Sequence, residues 1–181
     1  MERALGPITV EIVSGDIAQQ EVIDAIVNAA NAQLKPGGGV AGAIHRAAGP
    51  SLEKACRPLA PIEPGDAVIT PGFNLPNPWV IHCLGPVYGV DNPPQRLLAD
   101  CYANALKLAE EKGLYSIAFP AVSAGAFGYP MEEAARVALA TILKEAKKLR
   151  SIRLVRFVLR DKPSKAVFEH ALNELHPGSC S

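Results

Sequence analysis

Three short stretches of the sequence carry residues suited to holding an anion rather than to filling a core. The richest is Pro36-Gly37-Gly38-Gly39-Val40-Ala41-Gly42. Three successive glycines leave no side chain to keep a phosphate away. With a helix beginning at Val40, their amides can form an anion cradle. The second is Ser123-Ala124-Gly125-Ala126-Phe127-Gly128-Tyr129-Pro130. Small residues again expose amides ahead of a helix, and Phe127 offers a flat apolar face for a sugar or base. Two such loops suit two linked phosphates. The third is Gly15-Asp16-Ile17, where a carboxylate can accept a hydrogen bond from an exocyclic amine such as that of adenine. Each also has a plainer reading: a tight turn, a core phenylalanine, a turn or capping aspartate.

Other chemistry is poorly supported. Gly37, Gly39 and Gly42 spell G-x-G-x-x-G, but eight residues separate Asn28 from Gly37, and Glu63 falls in a proline-rich loop. The dinucleotide fingerprint needs a direct strand-to-helix turn and an acid about 20 residues on. The residues around Ser123 are not G-x-S-x-G, so a hydrolase nucleophile elbow is not expected. Cys56, Cys83, Cys101 and Cys180 show no Cys-x-x-Cys spacing, and His45, His82, His170 and His176 are scattered. Neither zinc nor a disulfide framework is expected, and free thiols fit a reducing compartment. His82, between Ile81 and Cys83, reads as a satisfied core histidine, and His45 as a packing residue on a helix.

The elements that must position these loops follow from periodicity. Strands are expected at 8–14, 24–30, 66–70, 79–84, 116–122 and 152–159. Helices are expected at 40–48, 51–59, 94–112, 131–149 and 164–175. In the fourth of these, Ala135, Leu139, Ile142, Ala146 and Leu149 recur at helical steps, with Glu132 and Glu133 first and lysines last. Strands alternating with helices predict a three-layer α/β/α domain with a central mixed, largely parallel sheet over residues 8–175. Residues 1–7 and 176–181 read as loose tails. Loops at the carboxyl ends of such strands are where ligands bind.

The chain has 181 residues, 49% of them apolar, enough for one domain with a sizeable core. No apolar run approaches the roughly 20 residues of a membrane span, and no signal peptide is evident, so a cytoplasmic protein without a membrane partner is expected. Eighteen basic residues balance eighteen acidic ones, which excludes a whole-protein basic footprint for nucleic acid. Residues 144–165 nevertheless hold nine basic and two acidic residues, a solvated surface or a local polyanion site.

Taken together, Gly15-Asp16-Ile17, Asp24 to Asn31 (DAIVNAAN), Gly37 to His45, Val80 to Pro86 (VIHCLGP) and Ser123 to Pro130 resemble the macrodomain family of ADP-ribose-binding modules, in order and spacing. The resemblance runs over roughly Ile8 to Leu175. Gly42 to Pro50 (GAIHRAAGP) is most similar to the MacroD-type branch, which removes ADP-ribose from acidic side chains and deacetylates O-acetyl-ADP-ribose. The resemblance implies that Asp16 binds the adenine amine, with Gly15 and the Ile17 amide beside it. It implies that Asn31 contacts the distal ribose and is the catalytic candidate. Gly37, Gly38, Gly39 and Val40 would line the distal ribose and diphosphate. Ser123, Ala124, Gly125, Ala126 and Phe127 would wrap the diphosphate, with Phe127 against the distal ribose. Asn28 would brace the loop. The ligand would be ADP-ribose, free, on a protein or as its O-acetyl form, with no cofactor or metal.

Two departures from that pattern stand out. MacroD-type enzymes usually carry Asp after Gly-Gly-Gly-Val; here the residue is Ala41, whose methyl group cannot orient a water or accept a proton. The adenine-covering position, often aromatic in the family, falls at Leu159 or Arg160, and Arg160 can stack through its guanidinium plane. Three functions follow: a hydrolase of ADP-ribosyl esters, a reader without turnover, and, with least support, a binder of RNA or poly-ADP-ribose through the basic run.

Overall fold

The computed structural model describes residues 1–178. Its strands are β1 (Glu2–Leu5), β2 (Ile8–Ser14), β3 (Ala25–Ala29), β4 (Ala67–Pro71), β5 (Trp79–Cys83), β6 (Ser116–Phe119) and β7 (Leu154–Leu159). The helices are α1 (Gly39–Ala48), α2 (Pro50–Cys56), α3 (Pro94–Glu111), α4 (Met131–Ala146) and α5 (Lys162–Leu175). One seven-stranded sheet has the order β1-β2-β7-β6-β3-β5-β4. The five inner strands are mutually parallel, and β1 and β4 close the two edges antiparallel. This is the expected mixed, largely parallel sheet.

Two apolar clusters occupy its faces. Residues of α3, α4 and α5 pack on one face around Tyr102, Phe119, Phe157 and Phe168. Ile44 of α1, with Leu52 and Cys56 of α2, packs on the other with Ile17, Leu34, Val80 and Leu84. Strand β2 alternates buried and half-buried residues, whereas β6 is buried throughout, as a strand covered on both faces must be.

Most elements fall within two or three residues of expectation, and the differences have local causes. Strand β6 stops at Phe119 because Pro120 cannot extend the ladder. Pro58 ends α2 early, and Arg57–Leu59 form one 3₁₀ turn. Helix α4 stops at Ala146, and the amides of Arg150, Ser151 and Ile152 converge on the Glu110 carboxylate of α3 at 2.8–3.3 Å. Those bonds pull the Glu110 carboxyl below its ordinary value against the opposing effect of desolvation.

Residues 1–7 are not a loose tail. Glu2–Leu5 pair with Ile8–Glu11, and the terminal amine donates to the Ile12 carbonyl at 3.1 Å. An unpaired β2 edge would leave backbone groups open, and β1 satisfies them. Arg3 also donates to the His176 carbonyl and, at 2.7 Å, to the Asn173 side chain, so His176 is held as well. The rest of the second expected tail, from residue 179, lies outside the described residues. Among the described residues no helix is long and apolar enough to cross a membrane.

The expected core role of His82 holds. On β5, its Nδ1 accepts from the Asn28 amide at 3.1 Å, and its Nε2–H donates to Thr70 Oγ1 at 2.9 Å. A second proton would have to sit on Nδ1, facing the Asn28 amide hydrogens. Burial, with a smaller contribution from His45, lowers the His82 value from 6.5 to about 3. The unfolded chain therefore takes up this proton first as pH falls. The stabilisation from neutral His82 is complete above 6.5 and is lost progressively toward 3. In urea titrations, wild type should lose roughly 2 kcal/mol between pH 6.5 and 4.5 that a His82→Gln variant does not lose. Parallel pH profiles for the two proteins would refute the assignment.

Candidate functional site

Every loop singled out in the sequence lies at one edge of the sheet, the carboxyl end of its parallel strands. Gly15-Asp16-Ile17 follows β2, Asn31 follows β3, and Ser123 to Phe127 follow β6. The order β2, β7, β6, β3 then sets their sequence along the edge. Three inter-strand steps of about 4.8 Å put the ends of β2 and β3 about 14 Å apart, with the β6 loop between them. Ile17 lies in the cluster on the α1 face of the sheet, and Val40 and Phe127 pack against that same cluster.

The glycine loop is shaped by two contacts. Asn31 Oδ1 accepts from the Lys35 amide at 3.0 Å, and Asn31 Nδ2 donates to the Lys35 carbonyl at 2.8 Å. This clamp fixes which way the amide faces and leaves one N–H and one lone pair for a ligand. The second contact is at Gly42, where a β-carbon would lie 2.3 Å from the Gly37 carbonyl oxygen. Only glycine lets the loop fold back this closely on α1. A β-carbon at Gly37 would lie 3.5 Å from Asn31 Nδ2, so the catalytic candidate and the start of the glycine loop are neighbours.

Helix α1 begins one residue earlier than expected, at Gly39, with Gly38 as a cap that has no side chain and no acidic residue in the first turn. Among the described residues, the amides of Gly38, Gly39, Val40 and Ala41 have no acceptor. The same holds for Gly125, Ala126 and Phe127 in the second loop. Side chains added at Gly38, Gly39 or Gly125 would meet no atom within 4 Å, so these amides border open space. Two groups of unpaired donors at a helix N-terminus and a facing loop can bind linked phosphates. The second helix contributes less than expected, because Glu132 and Glu133 occupy the first turn of α4.

The second loop is held from below. Ser123, at a φ of 65°, donates from Oγ to the Pro86 carbonyl at 2.8 Å. A β-carbon at Gly85 would lie 2.0 Å from Ser123 Oγ, so Gly85 is required for the close approach. Gly42 stood out in the sequence as a fourth glycine of the cradle but not for its contact with Gly37, and Gly85 did not stand out on its own. Both were visible only as glycines inside larger motifs.

At the β2 end, one Asp16 oxygen accepts from the Ala18 amide at 2.8 Å, the turn bond allowed for it. The side chain is exposed and its second oxygen is without a partner among the described residues. The Gly15 amide donates to the Leu159 carbonyl at 2.8 Å, which brings the end of β7 alongside. Leu159 is 1% exposed and packs in the core on the opposite face, whereas Arg160 is exposed. Of the two, Arg160 is the one whose side chain is free to cover a ring. Ala41, in the first turn of α1, is 6% exposed.

A groove of about 250 Å³ between α4 and α5 is lined by Glu132, Arg136, Val167 and His170. Arg136 and His170 there are paired with Glu174, which leaves no convergent free donors. The basic run is also divided by the fold. Lys144, Lys147, Lys148, Arg150 and Arg153 precede β7, Arg156 lies on it and is paired with Glu11, and Arg160, Lys162 and Lys165 follow it, so the strand separates the run into two groups. Among the described residues no group of three His, Cys, Asp or Glu is placed to hold a metal.

Residues 27–138 match the family model described as the Macro domain. The chain is 46% identical over 167 residues to the O-acetyl-ADP-ribose deacetylase of Klebsiella pneumoniae, covering 90% of this chain and 95% of that one. It is 47% identical over 171 residues to the ADP-ribose glycohydrolase MACROD2 of Xenopus laevis, covering 93% of this chain and 41% of that longer protein. Among solved structures, a mutant of the Oceanobacillus iheyensis macrodomain with ADPR superposes with a TM-score of 0.92 at 41% identity, covering 97% of each chain. With this fold, these loops and these relatives, the chain belongs to the macrodomain family, with relatives of MacroD type.

Proposed function

We propose that this chain binds ADP-ribose along the edge from β2 to β3 and hydrolyses ADP-ribosyl esters, namely mono-ADP-ribosylated Asp or Glu and O-acetyl-ADP-ribose. The observation that carries the reading is the set of unpaired amides at Gly38 to Ala41 and Gly125 to Phe127, bordering open space. A diphosphate supplies acceptors for both groups. Asp16 takes the adenine amine on its free oxygen, and Arg160 covers the ring. Asn31 takes the distal ribose hydroxyls on the N–H and lone pair that the Lys35 clamp leaves over. Water adds, the bond between the sugar and the acyl group is broken, and ADP-ribose leaves with a free carboxylic acid.

A reader without turnover is the second reading, and Ala41 is the observation that favours it. With no carboxylate at that position, the attacking water must be held by the substrate's own phosphate and the glycine-loop amides. Turnover is then slow. The enzymatic reading is supported by the relatives named as a deacetylase and a glycohydrolase.

Adenine selectivity is tested by calorimetry with ADP-ribose and its inosine analogue. Loss of the amine bonded to a carboxylate should cost about 1.5–3 kcal/mol, tenfold or more in Kd. Equal affinities would remove Asp16 from this role.

The cradle is tested by Gly38→Asp. The backbone there, φ −84° and ψ 178°, suits a capping aspartate. Its carboxylate should pair with the α1 amides and raise the melting temperature by about 1 °C, while weakening ADP-ribose more than about tenfold. A loop that is merely a turn would gain the stability and keep the affinity.

Catalysis is tested by Ala41→Asp. A group that orients water acts mainly in the transition state, so hydrolysis should accelerate at least about tenfold while Kd moves less than about threefold. Tight binding with no turnover in wild type would select the reader. A fast wild type whose rate Ala41→Asp leaves unchanged would assign the chemistry to Asn31 and the backbone alone.

A further inference from the structure

The edge of the sheet does not end at Asn31. Strand β5 lies one step beyond β3, on the side away from Asp16, and its exit runs through Val87 to Asp91. This segment is tied to the second ligand loop, because the Tyr88 amide donates to the Phe127 carbonyl at 2.9 Å. It is also closed on itself. The Val87 amide donates to Asp91 Oδ2 at 2.8 Å, and the Val90 and Asp91 amides donate to the Val87 carbonyl at 3.0 and 2.9 Å. This braced loop presents Val90 at 69% exposure and Tyr88 at 41%. The Tyr88 ring is held in place by Tyr129, 4.9 Å away between centroids, and by its hydroxyl, which donates to Glu133 Oε2 at 3.5 Å.

Single exposed apolar residues are ordinary. Two on one braced loop, next to the residue that faces the distal ribose, are placed where a leaving group would emerge. We propose that Tyr88 and Val90 form an apolar acceptor subsite, which receives a hydrophobic side chain of the substrate polypeptide next to its ADP-ribosylated Asp or Glu. The inference rests on the ADP-ribose reading above. In that reading the nucleotide runs from Asp16 to Asn31, so the group attached to the distal ribose continues toward β5. The charged groups beside it are engaged within the protein, Asp91 Oδ2 by the Val87 amide and Glu133 Oε2 by the Tyr88 hydroxyl, which leaves the contact itself to the Val90 side chain and the Tyr88 ring. O-acetyl-ADP-ribose, with only an acetyl group to offer, would make little use of it.

The test compares three ligands by calorimetry: ADP-ribose, and two peptides carrying ADP-ribose through a hydrolysis-resistant linkage, one flanked by Leu and Phe and one by Ser and Gly. The apolar peptide should bind wild type at least about fivefold more tightly than the polar one, a modest gain expected of one partly buried side chain. Val90→Ser and Tyr88→Ala should each reduce that preference without moving the Kd of ADP-ribose. Val22→Ser should leave all three affinities alone, because Val22, 94% exposed, precedes β3 at the opposite edge of the sheet. Equal binding of the two peptides, with ADP-ribose still bound, overturns the subsite and leaves the ADP-ribose reading intact. A preference that survives both variants places the acceptor contact elsewhere and also overturns it. Failure of ADP-ribose itself to bind overturns the underlying reading and the subsite with it.

Discussion

The approach of the Gly37 carbonyl to Gly42 is the contact on which the site depends. With a methyl group at residue 42 the carbonyl would be 2.3 Å away, and the loop from Lys35 to Gly39 could not lie back against α1. That posture keeps the first amides of α1 clear of their own chain. The Asn31–Lys35 clamp fixes the other end of the same loop, so the fold holds a short segment at two points and leaves the amides between them unpaired. A helix capped by a serine or aspartate would be more stable by about a few tenths of a kcal/mol, and it would attract an anion less. The capping position is instead Gly38, which gives up that stabilisation in favour of a ligand.

Polar burial beneath the site serves the same end. Asn28, His82 and Thr70 form a hydrogen-bonded row across β3, β5 and β4, with Asn28 opposite His82 in the ladder and Thr70 two residues along β4 from His82's partner Val68. Asn28 and Asn31 are three residues apart in one motif, yet their tasks diverge. Asn28 is buried and bonded to His82, while Asn31 is partly exposed and bonded to the backbone ahead of it. The distinction follows from where β3 ends: Ala29 is its last residue, so Asn28 belongs to the ladder and Asn31 to the loop.

Much of this was legible in the sequence because periodicity and turn chemistry are local. The alternation of residues 8–14, the helical steps of residues 131–146 and the glycine loop each carry their own signal. What was not legible depends on partners distant in the chain. Strand β1 has no pattern of its own, and exists because β2 has an open edge and Arg3 reaches Asn173 and His176. The end of α4 depends on Glu110, some forty residues earlier. The basic run looked continuous because its residues are adjacent in sequence, but a six-residue strand passes through it and divides it between opposite ends of the sheet. The choice between Leu159 and Arg160 likewise needed burial, which a one-residue shift at a strand end reverses.

Ala41 acquires a second meaning from this electrostatic setting. A carboxylate in the first turn of α1 would interact favourably with the helix dipole, by about 0.3–1 kcal/mol, and would offset part of the field that draws in a diphosphate. Alanine leaves that field uncompensated, since the first turn of α1 contains no acidic residue at all. The same substitution that removes a group able to orient water therefore strengthens the hold on the ligand's phosphates. A chain with alanine there is built to hold ADP-ribose first. In the enzymatic reading, positioning of the water then falls to the bound ligand's phosphate oxygens, to Asn31 and to the glycine-loop amides.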